Sequence, residues 1–152
     1  MTSEIKDELI EDIKKICEKF GISKVINEEY KDEITREQYE NMNFPVIFYN
    51  IYNGNPSYAI DYENDKYRYE DQLEVILTLE SREPTDKFNI LYLFLQNTKA
   101  TNEYFEDRKH KRKIRNIFKL QETVTKFNGR KYLKKVLQFT YLAEHLINKD
   151  FN

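Results

Sequence analysis

The stretch YRYEDQLEVILTLE, residues 67–80, decides the fold of this chain. Apolar side chains alternate with polar ones along it, and a period of two places them on opposite faces of a strand. The stretch therefore predicts a long strand of an antiparallel sheet with one buried face and one wet face. The apolar side chains of the dry face are Tyr67, Tyr69, Leu73, Val75, Leu77 and Leu79. Glu74 and Glu80 fall on the wet face, whose single apolar residue is Ile76.

The elements before and after this strand can be placed around it. Residues 3–20 repeat apolar side chains every three or four positions, which predicts an amphipathic helix that ends at Gly21. FPVIFYNIY at 44–52 and a short segment at 57–62 predict two strands that form a meander with the long strand, over 44–80. A second helix is predicted after Pro84, over 85–97. It is apolar on nearly every side, so we expect it to meet the sheet and also another element or another subunit.

The sequence from 117 to 142 predicts a hairpin whose register can be written down. Asn128-Gly129 is a strong signal for a two-residue turn. With that turn, Val124 pairs with Leu133, Glu122 with Lys135, Leu120 with Leu137 and Phe118 with Phe139. One face of the hairpin is then mostly apolar and the other polar, which fixes the register.

Together these elements predict a single α+β domain over residues 1–152. Its antiparallel sheet, a meander plus a C-terminal hairpin, carries both helices on one face. SKVI at 23–26 is interpreted as a short strand, and ITREQYENM at 34–42 as either a turn or two of helix or a polar loop. The acidic stretch between them is interpreted as a solvated connection, and 97–106 as a polar loop. Residues 144–152 are interpreted as a short helical or frayed tail.

Composition limits the class of protein. The 152 residues are 39% hydrophobic and 34% charged, but 12 Tyr and 10 Phe supply enough apolar surface for a folded core. The formal net charge of −2 gives no general attraction to nucleic acid or to an acidic membrane. A single cysteine, Cys17, favours a reducing intracellular setting. Neither a signal peptide nor a membrane span is predicted.

Catalytic motifs are weak. With two histidines and one cysteine distant from both, a zinc site or a Cys/His nucleophile is not expected. The three glycines stand apart, so a phosphate-binding glycine loop is not expected either. Asp61, Glu74 and Glu80 could gather around a metal with Arg82 assisting, as in a nuclease, but the strand pattern places Glu74 and Glu80 on the solvated face, which favours ordinary solvated carboxylates. We therefore expect a protein that is not an enzyme and has no cofactor and no metal.

One concentrated basic run, RKHKRKIR at 108–115, is the candidate binding segment. It would contact the phosphate backbone of DNA or an acidic partner. The alternative is a solvated loop that balances the acidic residues 28–40. The candidate contact residues are Arg108, Lys109, Lys111, Arg112, Lys113 and Arg115. The tyrosines between 49 and 69 indicate either an interaction surface or aromatic pairing across strands.

The order of elements resembles a family of bacteriophage proteins. FPVIFYNIYNGNPSYAIDYENDKYRYEDQLEVILTLESREPTDKFNILYLFL, at 44–95, is similar to the tail-terminator and tail-to-head joining (tail completion) proteins of long-tailed phages. Those proteins place a helix before an "fPvi.Y" strand, then a "p.Y..D" segment, a long alternating strand, a helix and a terminal hairpin. FKLQETVTKFNGRKYLKKVLQFTYL, at 118–142, stands where that hairpin is expected.

The resemblance implies a structural virion protein that forms a ring, commonly a hexamer. The ring would cap the tail tube, contact the tail tube protein and the head-side connector proteins, and sit in the virion after assembly in the host cytoplasm. The basic run could then face the lumen through which DNA passes, making non-specific contacts, or hold acidic residues of a neighbouring subunit. The alternative function is a small phage-type anti-defence or immunity protein that inhibits a partner enzyme through its acidic residues 28–40.

Overall fold

A computed structural model describes residues 2–54, 57–61, 66–97, 100–101, 111–127 and 129–148. The elements follow the order α1 (Thr2–Lys19), β1 (Lys24–Asn27), a 3-10 helix (Glu28–Glu33), α2 (Arg36–Glu40), β2 (Val46–Asn53), β3 (Ser57–Asp61), β4 (Lys66–Ser81), α3 (Lys87–Gln96), β5 (Lys111–Phe127) and β6 (Arg130–Asn148). The predicted α+β class is confirmed. The sheet is antiparallel except for one parallel pair, β1 with β2.

The long strand predicted at 67–80 is β4, and it is the centre of the sheet. The strand order is β1-β2-β4-β6-β5. β6 pairs with the whole length of β4, from Lys66 opposite Asn148 to Ser81 opposite Leu133. The predicted helical or frayed tail is wrong for residues 144–148, because β6 continues beside β4 to Asn148.

The predicted meander is wrong in how its strands pair. β2 pairs with the second half of β4, and β3 pairs with the first half on the same edge. β2 and β3 therefore follow one another along β4 and do not pair with each other. The alternating pattern predicts that these strands exist but not how they pair. β2 and β3 would show the same pattern whether they paired with each other or with successive halves of β4.

One face of the sheet, here called the first face, carries the main core. α1 and α3 both cover it, as predicted, and it buries the odd-numbered apolar residues of β2, β4 and β6. The predicted stop at Gly21 is also confirmed. Gly21 has φ +76°, and the backbone N–H of Ile22 donates to the carbonyl of Cys17 at 2.9 Å, which closes the end of α1.

The segment between β1 and β2 covers part of the opposite face of the sheet, here called the second face. Parallel neighbours need a crossover connection, and residues 28–44 supply it with the 3-10 helix and α2. α2 begins with a capping box in which Thr35 and Gln38 exchange side-chain and backbone hydrogen bonds. The Tyr39 ring lies 5.2 Å from the Tyr132 ring, between centroids, and thereby joins α2 to β6. The acidic segment is thus a folded crossover rather than a simple solvated connection.

The hairpin β5–β6 follows the predicted register near its turn and departs from it further away. Val124 pairs with Leu133 and Glu122 with Lys135, as predicted. A register shift between Gln121 and Lys119 follows, so Lys119 lies opposite Leu137 and Phe118 opposite Gln138. A second shift lies between Phe118 and Arg115. It contains Asn116, with φ +53°, a conformation that asparagine tolerates better than most residues. No helix in the described ranges is both long enough and apolar enough to cross a membrane.

Candidate assembly surface and charged side chains

The described part of the basic run, residues 111–115, lies in a strand, because β5 begins at Lys111. The alternative interpretation of the run as a solvated loop is therefore wrong for these residues. Successive side chains of a strand point to opposite faces, so the strand divides the basic side chains between the two faces. Lys113 and Arg115 are exposed on the second face, opposite Leu142 and Thr140. Lys111 lies opposite Glu144 at the start of the strand. Arg108 and Lys109 are outside the described residues.

Arg112 is not a surface residue. Its side chain is 0% exposed and lies beneath α1 on the first face, where it hydrogen-bonds the carboxylate of Asp12. Its Nη2 also forms an ion pair with Oε2 of Glu8 at 3.1 Å. The prediction that Arg112 contacts DNA or a partner is therefore wrong, since its guanidinium is inside the protein and neutralised there.

Two carboxylates of α1 surround the Arg112 guanidinium and neutralise its charge. The Asp12 side chain is 1% exposed and that of Glu8 is 20% exposed, so α1 presents two carboxylates to one guanidinium. The Tyr141 hydroxyl lies 3.5 Å from Oδ2 of Asp12. Burial is the main cause that raises the pKa of Tyr141 above its ordinary value. The cluster joins α1 to β5 and β6, and losing the charge of Arg112 would leave the buried Asp12 carboxylate without its guanidinium partner.

The carboxylates suggested for a metal site are separated. Glu74 accepts hydrogen bonds from the Thr140 hydroxyl at 3.1 and 3.0 Å. Glu80 is 4% exposed and pairs with Lys31 of the crossover at 3.0 Å, so its predicted position in water is wrong. Six residues of strand place the two about 20 Å apart. Among the described side chains, no three His, Cys, Asp or Glu are grouped to hold a metal ion.

Apolar side chains are exposed on two neighbouring elements, α3 and the edge strand β5. On α3, Ile90 is 47% and Leu93 is 63% exposed. On β5, Phe118, Leu120 and Val124 are 48%, 51% and 58% exposed. These five side chains are called the α3–β5 surface below. Phe118 lies opposite Gln138, between the first-face residues Leu137 and Phe139, and therefore points to the second face. The surface thus extends from α3 around the edge of the sheet.

The two parts of the α3–β5 surface are held side by side by one lysine of β5. Nζ of Lys119 donates to Oδ1 of Asn89 at 3.1 Å and lies 4.7 Å from the centre of the Tyr92 ring. The buried side of α3, with Phe88, Leu91 and Leu95, faces the core. α3 also meets the end of α1, because the Phe94 ring lies 5.3 Å from the Phe20 ring and 4.8 Å from Nζ of Lys19. The prediction that α3 meets the sheet and another element is therefore confirmed, while Ile90 and Leu93 remain exposed.

The crossover presents a second exposed surface of different chemistry. Four of its carboxylates, those of Glu29, Asp32, Glu33 and Glu37, are exposed. Tyr30 beside them is 55% exposed. This acidic surface belongs to the segment that covers the second face, whereas the α3–β5 surface is formed by α3 and the edge strand.

Comparison with models of known protein families gives no match for this chain. Comparison with curated proteins gives no match either.

Proposed function

We propose that this chain is a non-enzymatic structural subunit of the phage tail-terminator kind, which assembles into a closed ring through its α3–β5 surface. The ring caps the tail tube, joins it to the head-side connector proteins, and belongs to the virion. The observation that carries the proposal is the group of five exposed apolar side chains on α3 and β5. Exposed apolar patches of this kind are typical of surfaces that another protein covers.

Covering this surface with a neighbouring copy of the chain would supply part of the free energy that assembly of the ring needs. Half-exposed side chains of this size gain roughly 1 kcal/mol each when they are covered, so the five supply about 5 kcal/mol per contact. Such a gain is comparable to the lower end of the estimated cost of association, ~4 kcal/mol. A closed ring makes the same contact once per subunit, and its closure adds stability that a single pair lacks.

The exposed cations Lys113 and Arg115 fit the proposed position of the subunit around DNA. They project from the second face of β5, and in a ring they would give a local positive surface in a chain whose net charge is −2. Non-specific contact with the DNA backbone needs only such local charge. Arg112 is not part of this proposal, because its side chain is buried and its charge is neutralised by Asp12 and Glu8.

The experiment that tests the proposal is the solution mass of two matched variants, measured by light scattering after size exclusion. Leu93→Glu places a charge on the α3 part of the α3–β5 surface. Tyr30→Glu places the same charge at a similarly exposed side chain of the crossover, outside the α3–β5 surface. We expect wild type and Tyr30→Glu to form the same closed oligomer and Leu93→Glu to be a monomer. Equal masses for both variants would contradict the proposal.

A second candidate function is an inhibitor of a partner enzyme, and the acidic surface of the crossover favours it. Glu33 and Glu37 are exposed there, and a row of carboxylates can cover the basic site of an enzyme that binds nucleic acid. Under this function the protein is a monomer or a dimer. Changing Glu33 and Glu37 to lysine would then abolish binding to the enzyme, while Leu93→Glu would leave that binding unchanged.

A further inference from the structure

The crossover, residues 28–44, lies on the sheet without burying any of its own side chains. Neither the 3-10 helix nor α2 contributes a buried residue. The first four residues of β2, Val46 to Tyr49, are by contrast all buried. Segments with few buried contacts are the ones that open locally while the rest of a protein stays folded.

A small group of buried residues lies beneath the crossover on the second face. Phe48 of β2 and Tyr132 of β6 are 0% exposed, and Thr78 and Glu80 of β4 are each 4% exposed. Thr78 lies directly opposite Phe48. These even-numbered residues are on the other side of the sheet from the odd-numbered residues of the main core. Their burial therefore depends on the crossover and not on α1 and α3.

Lys31 and Tyr39 hold the crossover on this group. Nζ of Lys31 donates to Oε1 of Glu80 at 3.0 Å and lies 4.6 Å from the centre of the Phe48 ring. The Tyr39 ring lies 5.2 Å from the Tyr132 ring, between centroids. The side chain of Lys31 is still 31% exposed, and solvent screens an ion pair that is partly exposed. These contacts therefore fasten the crossover only moderately.

A cleft of about 510 Å³ remains between the crossover and the sheet. It is lined on the crossover side by Lys31, Ile34, Thr35 and Tyr39, and on the sheet side by Glu80, Tyr132 and Lys134. Protein interiors are normally close-packed, with few voids larger than a water molecule. The crossover thus covers the second face without filling the space beneath it, which lowers the number of contacts that oppose its opening.

Both ends of the crossover are attached to the sheet independently of its middle. At the first end, the Asn50 side chain of β2 donates to the carboxylate of Glu28. At the second end, the Phe44 ring lies 5.5 Å from the Tyr132 ring and 4.7 Å from the guanidinium carbon of Arg82. The middle, residues 29–43, can therefore move away from the sheet while its two ends stay in place.

We propose that residues 29–43 are a detachable cover of the second face, which opens while the sheet and α1 remain folded. Opening breaks the contacts of Lys31 and Tyr39 and exposes the rings of Phe48 and Tyr132 together with the carboxylate of Glu80. The second face thus has a covered and an uncovered state. This inference does not rest on the proposed ring, because the crossover lies outside the α3–β5 surface.

The test places a thiol beneath the crossover. Thr78→Cys puts one at a buried position of β4, between the two residues that Lys31 contacts. Cys17, buried on the first face, is the internal reference for unfolding of the whole domain. The folded protein is treated with N-ethylmaleimide, and the labelling of each cysteine is followed by peptide mass spectrometry.

Two lysine variants are compared in the Thr78→Cys background. Lys31→Met removes the ion pair that fastens the crossover. Lys113→Met removes an exposed lysine of the same face of the sheet and is the matched control, because Lys113 lies opposite Leu142, far along β6 from Lys134, the residue opposite Glu80.

We expect the thiol of Thr78→Cys to be labelled at least about tenfold faster than Cys17, because the crossover opens more often than the domain unfolds. Lys31→Met should speed this labelling about fivefold, since a charged hydrogen bond is lost, and leave the rate at Cys17 unchanged. Lys113→Met should change neither rate. Equal labelling of the two cysteines, or a rate at position 78 that Lys31→Met leaves unchanged, would overturn the proposal.

Hydrogen exchange carries the test if Thr78→Cys does not fold. The backbone N–H of Asn41 donates to the carbonyl of Glu37 at 3.1 Å within the crossover. Its exchange should be accelerated about fivefold by Lys31→Met and not by Lys113→Met, while the amides of β4 keep their rates. Acceleration of the β4 amides to the same extent, or no acceleration at Asn41, would count against a cover that opens by itself.

Discussion

Replacing Arg112 by methionine should destabilise the protein far more than any nearby surface change. The substitution keeps the length of the side chain and removes its charge. Asp12, 1% exposed, then keeps a carboxylate in the interior with no guanidinium opposite it. Breaking a buried pair by removing one partner costs about 3–5 kcal/mol. Because typical domains are stable by only about 5–15 kcal/mol, the loss would be a large share of the total.

The assay is equilibrium urea unfolding at one fixed protein concentration, read as the change in the free energy of unfolding. Lys113→Met is the matched control, because Lys113 is the next residue of β5 and is exposed on the opposite face. It should change the free energy of unfolding by less than about 0.5 kcal/mol. The double variant Asp12→Leu with Arg112→Met removes both charges and should recover most of the loss. The reasoning is refuted if Arg112→Met costs under about 1 kcal/mol, or if the double variant is no more stable than the single one.

Three further predictions follow from the same structure. Burial raises the pKa of the Cys17 thiol to about 12, so Ellman's reagent at pH 8 should label the folded protein at least about a hundredfold more slowly than the unfolded chain; equal rates would contradict its burial. Thr35→Ala removes the capping box of α2 and should cost about 1 kcal/mol of stability, seen as faster amide hydrogen exchange at Gln38; unchanged exchange would count against the cap. Changing Lys113 and Arg115 together to glutamine should lower the slope of log K for DNA against log salt by about 2, and an unchanged slope would exclude them from the DNA contact.

Local sequence patterns were sufficient to predict the buried face of an element where that face is uniformly apolar. The alternation in β4 predicted its buried face correctly, because a slip by one residue would have exposed the Leu/Val side to water. The Asn128-Gly129 signal likewise predicted the register next to the turn, including Val124 opposite Leu133. The predicted register failed from the first bulge onward, between Gln121 and Lys119. An extra residue in an edge strand has no strong local signature, and the pattern of β5 is compatible with either register.

Arg112 shows what a single sequence cannot reveal about charges. Its partners Glu8 and Asp12 are about 100 residues away, and nothing local marks them as neighbours. One signal was available: Ile114 follows Arg112 by two positions, and that alternation indicates a strand with Arg112 on the apolar side. Glu80 was misplaced for a similar reason, because the wet face of β4 is covered by a crossover that comes from residues 28–44.

Native mass spectrometry of the wild-type protein tests the central claim, assembly through the α3–β5 surface, most directly. The account predicts one closed complex near six subunits, about 112 kDa for a chain of 18.6 kDa. It also predicts that Leu93→Glu dissociates this complex to single chains. A wild-type mass of 18.6 kDa at every concentration, or a complex that Leu93→Glu leaves intact, would contradict it.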